Sequence, residues 1–137
     1  MRLEQAEKPY HTDRSIVYSC QYHVIFCPKY RRAVLEDAVA RRLKEMILEK
    51  QAEYGYAVMS MEIMPEHVHL LLDVDPRVGV NNVVAKIKGY TSHELREEYP
   101  WLKKRLPTLW TRSKFISTVG AVTLDTVQRY IADQKGV

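Results

Sequence analysis

The sequence predicts an α+β protein: a ferredoxin-like split βαβ sandwich, with an antiparallel sheet carrying helices on one face, followed by a C-terminal helix. Three observations predict it. Stretches with a hydrophobic period of two alternate with stretches of helical period, in the order strand, helix, strand, strand, helix, strand, helix, and the first six match the split βαβ order. The length of 137 residues favours one compact domain with a buried core. Finally, no repeat, low-complexity tract or linker divides the chain. A single domain over residues 1–137 is therefore expected, with a lead-in at 1–14, a ferredoxin-like core at 15–120 and the final helix within 121–137.

Residues 1–14 read as a polar, loosely held lead-in. Over 15–27, Ile16, Tyr18, Cys20, Tyr22, Val24 and Phe26 alternate with Ser19, Gln21 and His23, which reads as one long strand stopped by Pro28. Residues 34–54 carry Leu35, Val39, Leu43, Met46 and Ile47 at helical spacing, and Gly55 ends that helix. A second strand follows over 56–64, and Pro65-Glu66 connects it tightly to a third that ends near Val74. In this third strand Val68, Leu70, Leu72 and Val74 share one face, and His67 and His69 share the other. Asp75-Pro76 turns the chain into a helix over 80–99, buried through Val83, Val84, Ile87 and Leu95 and stopped by Pro100. The basic, aromatic stretch 101–113 reads as irregular, and 115–119 as a short fourth strand. After Gly120, Thr123 is placed to cap a last helix running to about Lys135, with Leu124, Val127 and Ile131 as its docking stripe.

Composition narrows function only slightly. The contents of 46% hydrophobic and 28% charged residues are ordinary for a globular protein. The net charge of +4 leans towards an acidic partner, nucleic acid first. No apolar run approaches the ~18 residues of a membrane span, and the charged N-terminus lacks the apolar core of a signal peptide. Cys20 and Cys27 differ in strand parity, which disfavours a disulfide and suits a reducing cytoplasm.

The histidine pair carries the first chemical hint. On a strand, i and i+2 side chains share a face about 7 Å apart, close enough to lean onto one ion. The same spacing also fits two surface histidines. Two imidazoles fall short of a structural zinc site, so the metal reading is a catalytic ion with open positions. The last helix supplies further groups: Tyr130 and Gln134, four apart, lie on one helix face beside the apolar stripe. Alone they also read as a boundary tyrosine and a solvated amide. Together with the histidines, Gln134 offers an amide oxygen to the ion, all three ligands are neutral, and a mixed N/O site suits Mg2+ or Mn2+. Tyr130 is then a candidate nucleophile whose phenol needs the ion's help at neutral pH. Attack on a phosphodiester leaves a phosphotyrosine that a second strand end can reverse, and no Gly-rich nucleotide loop is present.

Basic residues cluster and interleave with aromatics. Lys29, Tyr30, Arg31 and Arg32, then Lys86 and Lys88, then Trp110, Arg112 and Lys114 form the candidate DNA-binding set. Charge follows a backbone and rings stack on unpaired bases, which suits a single strand. Arg41, Arg42 and Lys44 read as a solvated helix face.

Five segments in order resemble one family: Tyr22-His23-Val24-Ile25-Phe26; Lys29-Tyr30-Arg31-Arg32; Met64-Pro65-Glu66-His67-Val68-His69-Leu70-Leu71; Trp110 to Gly120, ending Ser117-Thr118-Val119-Gly120; and Tyr130-Ile131 with Gln134. They resemble the HUH-superfamily single-tyrosine transposases of bacterial and archaeal insertion sequences, of the TnpA type, across residues 15–134. The resemblance implies a homodimer that cleaves and rejoins single-stranded DNA at element ends marked by hairpins. It implies that His67, His69 and Gln134 hold the metal and that Tyr130 forms a 5′-phosphotyrosine, freeing a 3′-hydroxyl. It also implies that the tyrosine helix can complete the partner subunit's site. Lys114 departs from the aromatic common at that position, which bears on local DNA contacts. Three other readings stand beside it: a domesticated hairpin-specific nuclease of the repeat-associated tyrosine transposase type, a non-catalytic RRM-like single-strand binder, and a metal-dependent hydrolase without covalent chemistry.

Overall fold

The computed structural model describes residues 11–12, 15–120 and 124–137. Most of the lead-in, the expected cap Thr123 and the side chain of Leu124 lie outside the described residues.

In chain order the elements are β1 (His11–Thr12), β2 (Val17–Tyr18), β3 (Gln21–Phe26), a 3-10 turn (Lys29–Arg31), α1 (Asp37–Glu49), α2 (Gln51–Tyr54), β4 (Tyr56–Met64) and β5 (His67–Val74). There follow α3 (Val80–Glu98), α4 (Trp101–Arg105), β6 (Phe115–Thr118), α5 (Leu124–Asp133) and a 3-10 turn (Gln134–Gly136). The main sheet is antiparallel with strand order β4-β5-β3-β6, the order of a split βαβ sandwich.

The core lies on one face of that sheet. Val24 and Phe26 of β3 and Val68, Leu70, Leu72 and Val74 of β5 pack beneath α1 and α3, and all six are at most 1% exposed. Full burial of such side chains stabilises by roughly 1.5–3 kcal/mol each. A strand's period of two then fixes the other face, so burying Val68 and Leu70 turns His67 and His69 away from the helices.

Three boundaries differ from the expected ones. The long first strand is broken: Val17–Tyr18 pairs with His11–Thr12, and the main sheet begins only at Gln21. The buried carboxylate of Asp73 accounts for the break. It accepts the Cys20 N–H at 3.0 Å and pairs with His11 Nε2 at 3.1 Å, which pins the small ribbon to the end of β5. The first helix begins at Asp37 rather than residue 34, because the Leu35 N–H donates to the Pro65 carbonyl at 3.0 Å and holds that segment extended. The stretch expected to be irregular holds α4, whose Leu102 packs into the core with Leu106 and Leu109 after it. Gly55 stops α2 as expected: its φ is +82°, and a Cβ there would meet Val78 Cγ2 at 2.9 Å.

Candidate active site

The second face of the sheet gathers the chemistry. Strand register puts Phe115, Ile25, His69 and Glu62 in one row across β6, β3, β5 and β4. His67 opposes Met64 one step further along β5. Each histidine has a polar neighbour. Glu66 Oε1 lies 2.9 Å from His67 Nδ1; if that nitrogen carries the proton, it donates to the carboxylate and leaves the Nε2 lone pair for a ligand. His69 Nε2 lies 3.1 Å from His23 Nδ1, with the ring centroids 5.3 Å apart. Burial, then the neighbouring His23, pushes the His69 pKa below the ordinary histidine value, against a weaker opposing pull from Glu62. His69 therefore favours the neutral form, which is the one that binds metals.

Sequence reasoning missed His23 and Glu66 as neighbours of the pair. His23 lies 46 residues from His69 in the chain, so only the β3–β5 register reveals it. Glu66 was visible beside His67, but nothing in its type distinguished an orienting carboxylate from a turn residue.

The second group of side chains comes from the C-terminal helix. The Tyr130 hydroxyl lies 2.6 Å from Ser113 Oγ, and Ser113 Oγ–H donates to Gln134 Oε1 at 3.2 Å. The Gln134 amide N–H donates to the Tyr130 carbonyl at 3.3 Å. Gln134 is only 6% exposed, so it is not a solvated amide. The Tyr130 ring rests 5.3 Å from that of Phe115, which places it over the same sheet face as the histidines. Burial pushes the Tyr130 phenol above its ordinary pKa, and the hydrogen bond it shares with Ser113 partly offsets this.

Two contacts beyond Ser113 dock this helix. Arg31 Nη1 donates to the Ile131 carbonyl at 3.4 Å, and Thr111 Oγ1 donates to the Val137 carbonyl at 3.1 Å. A guanidinium at a helix C-terminus also complements the helix dipole. The loop that offers Thr111 and Ser113 is itself held by Lys88. Its ammonium donates to the Thr111, Arg112 and Ser113 carbonyls at 2.8, 3.3 and 3.2 Å. Cys27 is buried. Its thiol, pushed up to about 11 chiefly by burial, feels Arg31, Glu66 and Lys88, and it in turn acts on Tyr130.

The candidate DNA-binding set divides. Tyr30 and Arg32 are exposed beside Lys29, whose ammonium lies 5.1 Å over the Tyr30 ring, and Lys86 and Arg112 are also exposed. Lys114 is half-buried. Trp110 is 6% exposed, packs edge-on to Phe26 and donates its indole N–H to Thr91 Oγ1 at 3.0 Å. The expectation that its ring stacks on a base is corrected: the ring belongs to the core. Lys88 is corrected likewise, since its three carbonyl partners hold its charge inside the fold. Arg31 gains a docking role that its place in a basic run did not suggest.

Among the described residues, no group of three or more His, Cys, Asp or Glu side chains is placed to hold a metal ion. His67 and His69 offer two imidazoles on one face: Glu66 faces His67 Nδ1, and His23 Nδ1 faces His69 Nε2. Gln134, the third expected donor, is bonded to Ser113 and Tyr130, and no hydrogen bond joins it to either histidine among the described residues. No described helix is long and apolar enough to cross a membrane.

Comparison with known proteins points one way. The family profile described as IS200-like transposase matches residues 16–134. The chain is 40% identical over 123 residues to the ISDra2 transposase TnpA of Deinococcus radiodurans, covering 88% of each chain. It is 33% identical over 120 residues to the transposase for insertion sequence element IS200 of Salmonella typhimurium, covering 85% of this chain and 78% of that one. A crystal structure of a candidate transposase from Deinococcus radiodurans superposes with a TM-score of 0.83 at 33% identity, over 93% of this chain and 99% of the other. A repeat-associated tyrosine transposase bound to its hairpin shares the fold, with a TM-score of 0.57 at 11% identity, over 88% of this chain and 67% of that one.

Proposed function

This chain belongs to the IS200-like transposase family, and from that premise we propose that it cleaves and rejoins single-stranded DNA at hairpin-marked ends through a phosphotyrosine on Tyr130. The observation that carries the reading is that the Tyr130 ring rests against Phe115, which shares a row of the sheet with His69, on the face that carries the His67–His69 pair.

In the proposed reaction the Tyr130 oxygen attacks the phosphorus of a phosphodiester. The bond from phosphorus to the 3′ oxygen breaks, its electron pair stays on that oxygen, and a proton converts it to a 3′-hydroxyl. The phenol's own proton leaves to solvent. The 5′ phosphate remains on Tyr130, so the bond energy is kept, and a 3′-hydroxyl from a second end can attack it and restore the phenol. His67 and His69, completed by Gln134, would hold Mg2+ or Mn2+. When bound, the ion polarises the phosphoryl oxygens and offsets their charge in the transition state. Phe115 and Ser113 orient the phenol. Lys29, Tyr30, Arg32, Lys86, Arg112 and Lys114 are the groups proposed to meet the strand.

A homodimer is part of the proposal. The contacts that Arg31, Thr111 and Ser113 make with α5 and the turn after it would serve a partner's helix equally well. The two cysteines are free thiols, which suits a reducing cytoplasm. The RRM-like alternative has less support, because the face carries histidines where stacking rings are needed and Trp110 is buried.

The test is a denaturing gel of the protein incubated with Mg2+ or Mn2+ and labelled single-stranded hairpin DNA. Wild type should give a protein–DNA adduct, and Tyr130→Phe should remove it while hairpin binding persists. Cleavage that survives in Tyr130→Phe would point instead to hydrolysis by water.

A further inference from the structure

Ser113 stands between the proposed nucleophile and the proposed third metal ligand, and its hydroxyl can serve only one of them as donor. The directions of these bonds follow from chemistry alone. The Tyr130 carbonyl only accepts, so the Gln134 atom facing it at 3.3 Å is the amide nitrogen, and Oε1 faces Ser113. Oε1 also only accepts, so the single Ser113 proton points to it. The Tyr130 O–H, 2.6 Å away, must then donate to Ser113 Oγ. The hydroxyl sits on a loop that Lys88 fixes through three successive carbonyls, so it is held in place rather than adventitious.

We propose that Ser113 is a positioning residue that couples Gln134 to Tyr130: with no metal it donates to the Gln134 oxygen and accepts a hydrogen bond from the phenol O–H, and when Gln134 turns to a metal its hydroxyl is released to donate to the phenol oxygen. The first arrangement keeps the phenol protonated and the site incomplete. The second presents a donor to the oxygen on which negative charge collects as its proton departs, the kind of preorganised donor that favours such charge. No proton needs to cross from Ser113 in either arrangement; only the direction of its O–H changes. The coupling operates whether α5 comes from the same chain or from a partner. This inference rests on the proposed tyrosine chemistry and on Gln134 as a ligand.

The test pairs two measurements on the full chain. The first is calorimetric titration of the DNA-free protein with Mn2+ alone; the second is the single-turnover rate of adduct formation with hairpin DNA and Mg2+. Ser113→Ala removes the competitor for the Gln134 oxygen, so Mn2+ should bind roughly fivefold more tightly, the worth of one ordinary hydrogen bond. The same variant should form adduct on the order of tenfold more slowly, because the phenol oxygen loses its donor. Ser113→Thr, which keeps the hydroxyl, should restore both values, and Ser113→Ala placed on Gln134→Ala should give no gain in Mn2+ affinity. A merely structural serine predicts losses in both measurements, with a lowered melting temperature. Mn2+ affinity that is unchanged or weaker in Ser113→Ala overturns the coupling. Absence of any Tyr130-dependent adduct in wild type overturns the proposed reaction instead, and the Mn2+ titration still reports separately on the link between Ser113 and Gln134.

Discussion

β5 and α5 each contribute half of the proposed site, and they are held in opposite ways. β5 is an inner strand, paired along its length with β3 and β4, with Val68, Leu70 and Leu72 locked into the core behind it. His67 and His69 cannot shift unless the sheet shifts. α5 joins the body through the Tyr130 and Gln134 bonds to Ser113, a bond from Arg31, the turn bonded to Thr111, the tilted Tyr130–Phe115 ring contact and the buried Val127. The proposed metal ligands on β5 are therefore part of the fold, whereas the proposed nucleophile sits on a helix docked onto it.

The largest expected effect separates chemistry from fold in both halves. Tyr130→Phe and His67→Ala should each lower adduct formation by about 10³-fold or more, with hairpin affinity near the wild-type value by gel shift. A large loss of affinity in either variant would break the division between platform, nucleophile and DNA contacts. Next comes stability. Leu70→Ala behind the histidines should cost about 2–5 kcal/mol in urea unfolding. Val127→Ala on α5 should cost under about 2 kcal/mol. Equal costs would mean that α5 is as deeply integrated as β5.

A smaller effect tests the docking itself. Arg31→Ala removes one charge-assisted bond, worth roughly 1.5–3 kcal/mol at most, and should speed amide hydrogen exchange in α5 while leaving β5 unchanged. A separate, pH-dependent effect concerns Lys88, beneath the Ser113 loop. Burial, with Lys114 nearby, pushes its ammonium down to about 8. The unfolded chain then binds that proton more tightly than the folded one. Between about pH 8 and the ordinary lysine range near 10.4, wild type should gain stability as pH rises. Subtracting the unfolding curve of Lys88→Met over that range isolates the effect, and a difference that falls with rising pH would contradict it.

The same contrast governs how legible each half was from sequence. β5 could be read almost completely, since strict alternation from Val68 to Val74 fixes face and strand together, and the structure has His67 and His69 where that period puts them. The helix could be read only as a stripe with Tyr130 and Gln134 at its flank. What docks it comes from far away: Ser113 is 17 residues from Tyr130 and Arg31 is 100 from Ile131. A serine in a basic stretch carries no local mark of such a role. The first strand misled for a related reason. Its alternation runs unbroken past Ser19 and Cys20, and only the buried Asp73, 53 residues on from Cys20, explains the break. Trp110 and Lys88 looked like nucleic-acid contacts because composition marks residue types, whereas burial depends on what packs over them.

The account rests on Tyr130 as the atom that takes the phosphate. Wild-type protein can be incubated with hairpin DNA and Mg2+, digested with nuclease and trypsin, and examined by mass spectrometry. The account predicts a nucleotide joined through a 5′ phosphate to the peptide running from Tyr130 to Lys135, with every other tyrosine peptide unmodified. Cleaved DNA with an unmodified Tyr130 peptide, or a nucleotide on a different residue, would contradict it.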